Sequence, residues 1–406
     1  MKIILLHYTA PPVVGGVEEF VGKQAHQLVQ AGHQVRILTG RGEIWDAHIP
    51  VEILPRIDIR HPHVLKMKSS LDRGEAPPEF KALVDNVLGD LRNAVSGMDL
   101  VIAHNVASLN KNLALTAALY QLSQSSGAPG LILWHHDLAW TTARYQPELH
   151  PGYPWDLLRT PWPGVRQVVT SQARREELAQ LMSLPEDQIA VVPGGIDLGE
   201  FLNLGPRTLA LATRLKLMAA GPILLTPVRI TRRKNLELAL NVLAALRRQM
   251  PQASLVVTGP ARASNSANTA YFKELKALRA KRGLQSSAHL LAEYVPDGLT
   301  DLMVADFYRL ADVLFLPSRE EGFGNQLLEA GLGRLPVFCT DLHPFRALAD
   351  GWATYFSPDE DPDRIAAMIQ ARLEDDPVYQ MRAHVRTEYT WEAIYNRLLA
   401  PLLENA

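Results

Sequence analysis

Two carboxylates, Glu321 and Glu329, stand with seven residues between them. The segment between contains Gly322, Phe323, Gly324 and Asn325. Ahead of it Asp312–Leu316 is a short apolar run that reads as a buried strand, and behind it Leu327, Leu328 and Leu332 recur at helical spacing. Strand therefore passes into helix through a glycine-bearing loop. Gly322 and Gly324 are expected to free that loop for positive φ and for close approach of a ligand to bare backbone. The helix then opens with unpaired N–H groups and the positive end of its dipole, a natural seat for phosphate. A carboxylate accepts two hydroxyl hydrogen bonds at once, and such charge-assisted bonds are stronger than neutral ones. One acid for a ribose and one for a hexose, with a diphosphate on the helix end between them, suits a nucleotide sugar. Ordinary surface acids around a βα turn are the bland alternative, and other stretches decide between them.

Arg229 and Lys234 lie five positions apart across a turn after the strand Ile223–Thr226. They can converge on one anion, although a solvated basic turn looks the same in sequence. In the first half, Gly15-Gly16 follows the strand Ile3–His7 and precedes a helix whose apolar face runs Val17, Phe20, Val21, Leu28 and Val29. That glycine spacing is not the dinucleotide fingerprint, so a nicotinamide cofactor is disfavoured. Leu100–Ala103 ends at His104-Asn105, and Leu131–Trp134 ends at His135-His136-Asp137. Residues at the carboxyl ends of parallel strands line the crevice of an α/β sheet. Strand alternation turns His135 away from the side that His136 faces.

Taken together, Pro317-Ser318, the Glu321-Gly-Phe-Gly motif with Glu329-Ala330, the Arg229–Lys234 pair, Gly32-His33-Gln34-Val35 and Val192-Pro193-Gly194-Gly195-Ile196-Asp197 resemble the retaining glycosyltransferases of family 4. Gly194 stands where that family has an asparagine. The likeness runs across nearly the whole chain and implies the GT-B fold, an α/β class with two Rossmann-like doubly wound domains facing a central cleft. By this resemblance Glu321 holds hydroxyls of the transferred sugar, Glu329 holds the nucleotide ribose, and Arg229 and Lys234 hold the donor diphosphate. His136, with Asp137 after it, falls by the C6 hydroxyl of the sugar. Gly15 and Gly16 fall where backbone approaches the ligand. Glu293, before Tyr294, falls where relatives bind the nucleotide base largely through backbone. No metal and no cofactor are expected, the nucleotide sugar being a co-substrate, and the other substrate is a hydroxyl-bearing acceptor.

The elements that must position these residues repeat a βα rhythm twice. A chain of 406 residues exceeds one ordinary core. We expect residues 1–205 as an acceptor-side domain, 206–385 as the nucleotide-sugar domain, and 386–406 as a helix packing back on the first, with hinges near 200–215 and before Trp391. Arg56 through Phe80 show no clear period and read as an extended loop or short helices. The acidic run Asp359–Asp363 reads as a helix N-terminus rather than a metal site.

The composition, 47% hydrophobic and 21% charged, is that of a globular protein with ample core. A net charge of −2 offers no basic footprint for nucleic acid. The single cysteine, Cys339, lies in an apolar strand, so neither an internal disulfide nor a zinc cluster is available to it. The opening Met1–His7 is too short an apolar run for a signal peptide, and no segment reaches the roughly 18 apolar residues a membrane span needs. A cytoplasmic protein is the expectation. Other chemistry on the same fold would be a nucleotide-sugar epimerase, or a phosphorylase, which needs a pyridoxal-phosphate lysine that the sequence does not advertise. A non-catalytic binding subunit would have lost Glu321 or the Arg229–Lys234 pair, and both are present.

Overall fold

The computed structural model describes residues 1–260, 266–296 and 298–404. It divides into two units, one built from Met1–Gly195 with Trp391–Ala406 and one from Ile196–Thr390. Both are parallel α/β sheets, as the buried apolar runs alternating with helices require.

The first unit holds β1 (Lys2–Thr9), β2 (Gln34–Arg41), β3 (Val51–Ile53), β4 (Leu100–His104), β5 (Gly130–His135), β6 (Arg166–Val169) and β7 (Ile189–Val191). Their spatial order is 3-2-1-4-5-6-7. In register, Leu5 of β1 lies opposite Ile37 on one side and Ile102 on the other. The two-residue alternation of β1 divides its side chains between two cores. Ile4 and Leu6 face the helices Pro62–Leu71, Pro78–Ala94 and Leu113–Ser123. Ile3 and Leu5 face the helix Gly16–Gln30 and the C-terminal segment, whose Ile394, Leu399 and Leu403 are buried there. That segment is not one α-helix: Trp391–Ile394 and Ala400–Glu404 are joined by a π turn, Tyr395–Leu399.

The second unit holds β8 (Ile223–Thr226), β9 (Ser254–Val257), β10 (Ala288–Leu290), β11 (Val313–Leu316), β12 (Val337–Thr340) and β13 (Thr354–Phe356), in the order 10-9-8-11-12-13 around one core. Cys339 is fully buried in β12, and burial pushes its thiol up to about 12. Asp361 caps the helix Pro362–Glu374 by accepting from the Asp363 amide at 2.9 Å, which accounts for the acidic run.

Of the two readings of residues 56–80, short helices hold, and one domain boundary needs correction. Residues 56–80 are largely helical: Val64, Met67 and Leu71 bury one face of Pro62–Leu71, and a second helix begins at Pro78. Their helical spacing was hidden among histidines, lysines and prolines, two of which start helices instead of breaking them. The first division falls at Gly195/Ile196 rather than at 205, because the helices Leu198–Phe201 and Pro206–Arg214 belong to the second unit. Asp306, for example, accepts from the Gly205 amide at 3.0 Å.

Strand order now locates the crevices. In each sheet the chain reverses direction of growth once, between β1 and β4 and between β8 and β11, and ligands of such sheets bind outside the carboxyl ends of strands at that point. No described helix is long and apolar enough to cross a membrane.

Candidate active site

In the second unit the switch point is lined by the loops after β8 and β11, which are the Arg229–Lys234 and Pro317–Gly324 stretches. Lys234 is buried, and its Nζ meets Oε1 of Glu321, whose side chain is only 8% exposed. The Ser318 hydroxyl donates to the same oxygen at 3.2 Å, while Arg233 lies 3.8 Å from the other. Ser318 is fixed in turn by the Thr340 hydroxyl, which donates to its carbonyl at 2.6 Å. Burial lowers the pKa of Lys234, the Glu321 carboxylate opposes that shift, and the charges of Arg233 and Arg229 add to it. Arg229 is exposed and makes no salt bridge among the described residues. A carboxylate held between Lys234, Ser318 and Arg233 is braced through both of its oxygens.

The loop then enters the helix Asn325–Leu332 through Gly324, whose φ of 109° lies in the left-handed region. A Cβ there would sit 2.9 Å from the Phe345 ring, so both backbone and packing demand glycine. Gly322 is different: its φ lies outside the left-handed region, and a Cβ would meet nothing within 4 Å. Phe323 and Asn325 are exposed at the helix entrance, and no acid occupies the first turn. Glu329 is exposed one turn on, with the buried Tyr308 hydroxyl against it, and burial followed by that carboxylate raises the phenol. Glu293 does not present a free carboxylate; Arg279 holds it through bonds of 2.6 and 2.9 Å. Its neighbour Tyr294 lies under the Arg214 guanidinium at 5.1 Å.

The first unit brings His136 to the carboxyl end of β5, half-buried, while His135 turns inward and bonds Gln167 at 2.7 Å. The His136 ring packs edge-on to Phe20 at 4.8 Å, and its Nε2 is 3.1 Å from Nδ1 of the fully buried His104. Desolvation, and secondarily the charges of His7 and His135, pull His136 down to about 3, so the ring is neutral. Asp137 is half-exposed, 3.8 Å from Arg174. Gly15 is extended, and a Cβ on it would strike the Glu18 carboxylate; Gly16 has open space around it. Glu18 sits in the first turn of that helix, takes the Thr9 hydroxyl and lies 3.9 Å from His7 Nε2. This helix end already carries a carboxylate of its own, whereas the first turn of Asn325–Leu332 carries none. The sequence placed Ser318 and Asn105 in motifs without giving them a bracing role, and it gave none to Glu18 or Arg233, because a residue that braces another leaves no signal in spacing alone.

Two family models match in tandem. "Glycosyltransferase Family 4" covers residues 14–200 and "Glycosyl transferases group 1" covers residues 215–388. The second takes in both strands of the β8/β11 switch point, while the first starts after β1 and takes in β4 and β5. The chain belongs to the family 4, group 1 glycosyltransferases. Its two parallel-sheet units are those of the GT-B fold class, and it is an enzyme that transfers a glycosyl group. Similar curated proteins include mannosylglucosylglycerate synthase of Thermotoga maritima, 25% identical over 86% of this chain and 82% of that one. D-inositol 3-phosphate glycosyltransferase of Jonesia denitrificans is 26% identical over 95% and 90%. A solved structure of Anabaena HepE with UDP aligns over 100% of both chains at 18% identity, but its TM-score of 0.37 adds nothing to the assignment.

Proposed function

We propose that this glycosyltransferase moves a hexose from a nucleoside-diphosphate sugar to a hydroxyl acceptor, with retention of configuration and without a metal. The observation that carries the reading is the buried Lys234–Glu321 contact at the β8/β11 switch point, beside the glycine-opened helix Asn325–Leu332. Cleavage of the donor bond puts negative charge on the departing diphosphate. In such reactions most of the barrier lowering comes from preorganised positive groups placed where that charge develops. Lys234, Arg229 and the helix N-terminus are assigned that work in place of a divalent ion. Glu321 is assigned hydroxyls of the transferred sugar and Glu329 those of the ribose, while His136 is given the C6 hydroxyl. Retention follows if the acceptor attacks from the face the phosphate leaves, with the departing phosphate oxygen taking its proton. No covalent glycosyl-enzyme is part of the proposal.

The names of relatives carry small anionic compounds, a glycerate and an inositol phosphate among them. Small anionic polyols are therefore the acceptors to try first. The test is a thermal-shift screen of UDP-, GDP- and ADP-sugars, followed by transfer assays with the stabilising donor, with product anomers assigned by NMR. Retained configuration and full activity in excess chelator are expected. An inverted product, or activity abolished by chelator and restored by magnesium or manganese, would overturn the mechanism.

A further inference from the structure

The end of β4 carries two buried residues that the proposed reaction does not use. Asn105 is 2% exposed and adopts a left-handed φ of 59°. Its Oδ1 accepts from the His136 amide at 2.8 Å, from the Asp137 amide at 3.2 Å and from the Ser108 hydroxyl at 3.4 Å. Its own carbonyl accepts from the Tyr8 hydroxyl at 3.1 Å. One side-chain oxygen thus fastens the turn that leaves β5 to the neighbouring strand. His104, the residue before it, points Nδ1 at His136 Nε2, 3.1 Å away. The His104 backbone carbonyl takes a bond from His7 Nδ1 at 2.8 Å, which fixes that end of β4 from its other side.

The His104–His136 contact needs one proton between two nitrogens. The remaining ring nitrogen of His104, Nε2, is buried with no partner among the described residues. A buried unpaired N–H is rarer in folded proteins than an under-used acceptor. The proton of His104 therefore belongs on Nδ1, where it donates to His136 Nε2. A neutral His136 whose Nε2 accepts must carry its own proton on Nδ1. We propose that His104 and Asn105 are positioning residues for His136: Asn105 fixes its backbone, and His104 fixes its ring as the Nδ1–H tautomer, offered as a hydrogen-bond donor to a hydroxyl of the transferred sugar. The final clause rests on the role given to His136 above; the tautomer and the bracing do not.

The tautomer is read directly in the ligand-free enzyme. Histidine is labelled with nitrogen-15, and the His136 ring signals are assigned by their loss in His136→Gln. Wild type should show a protonated Nδ1 and an unprotonated Nε2. In His104→Phe, which keeps an aromatic ring beside Phe20 and Trp134, the His136 signals should move to a mixture of tautomers. Asn105→Gly tolerates the left-handed backbone but removes the acceptor, so the His136 and Asp137 amides should exchange faster with solvent while amides of β1 and β2 do not. Asn105→Asp restores an acceptor and should restore protection. With the donor returned by the screen, Asn105→Gly should lower kcat by roughly 10- to 100-fold, the range expected for a small misplacement of a contacting group, and Asn105→Asp should regain most of it. An Nε2-protonated His136 in wild type, or ring signals unchanged in His104→Phe, overturns the tautomer assignment. Unchanged amide exchange in Asn105→Gly overturns the bracing. If both readouts come out as expected and His136→Gln transfers sugar normally, only the role of His136 in the reaction fails.

Discussion

Lys234 is an ammonium almost wholly removed from water, and such a group persists only against a partner or a ligand that repays the lost hydration. Glu321 is that partner in the free enzyme. If both also hold the donor, Lys234→Ala and Arg229→Ala should each lower turnover by roughly 10²–10³, as loss of one charge stabiliser does. The double variant should lose less than the product, since both cations act on one diphosphate. Near-normal rates at saturating donor in either single variant would remove that residue from the role. The two acids should separate cleanly. Glu329→Gln, at an exposed carboxylate beside Tyr308, should weaken binding of the free nucleoside diphosphate and of the donor alike. Glu321→Gln should leave nucleoside diphosphate affinity nearly unchanged and damage transfer. Calorimetric titration with the free nucleotide distinguishes them, and equal losses would contradict the split.

At the scale of elements, period-two alternation sorts the histidines that end β5. His135 is fully buried against Gln167 of β6, and burial pulls it down to about 4, with the Gln167 bond opposing the shift. An unfolded histidine titrates near 6.5. Between those values the unfolded chain binds a proton that the folded one refuses, so stability rises with pH and is lost on acidification from about 6.5 toward 4. The loss for this one group reaches about 3 kcal/mol at pH 4. His135→Gln removes the titrating ring, and its stability should fall less steeply than wild type over that window. Denaturant midpoints at pH 7, 5.5 and 4.5 test it; parallel slopes for the two proteins would refute it.

The whole molecule is threaded so that the second unit interrupts the first: the chain leaves at Gly195 and returns at Trp391. The returning segment is structural for the first sheet. Ile394, Leu399 and Leu403 share a core with Ile3 and Leu5, Arg166 donates to the Leu402 carbonyl at 3.2 Å, and Tyr395 meets His33 at 2.8 Å. Gly195 admits no Cβ because the Trp391 backbone nitrogen would lie 2.7 Å from it. The second unit is stitched internally by Asp312, which accepts from buried Arg386 at 2.6 Å and from the Ile223 amide at 2.8 Å. Residues 196–390 expressed alone should therefore fold cooperatively and bind the same nucleoside diphosphate as the full chain. Deleting residues 391–406 from the full chain should lower the melting temperature of the first unit and leave that of the second in place. A single unshifted transition in the deletion would show that the segment contributes nothing to the first core.

Much of this was legible in residues taken one after another. Buried apolar runs alternating with 3.6-period stretches declare parallel α/β units, since strand and helix periods are local properties of the chain. The Glu321–Glu329 spacing, the Arg229–Lys234 pair and the His135/His136 alternation are local as well. What crosses the sheet was not legible. That Gly324 needs glycine and Gly322 does not depends on where Phe345 lies, and that Glu293 is held by Arg279 depends on a helix docking beside β10. Glu18 closes off the first-unit helix end through Thr9 on β1, and Asn105 reaches His136 from the adjacent strand. Each of these contacts joins residues that meet only once strand order and register are set, and that order is decided by burying both faces of each sheet together rather than by any one segment.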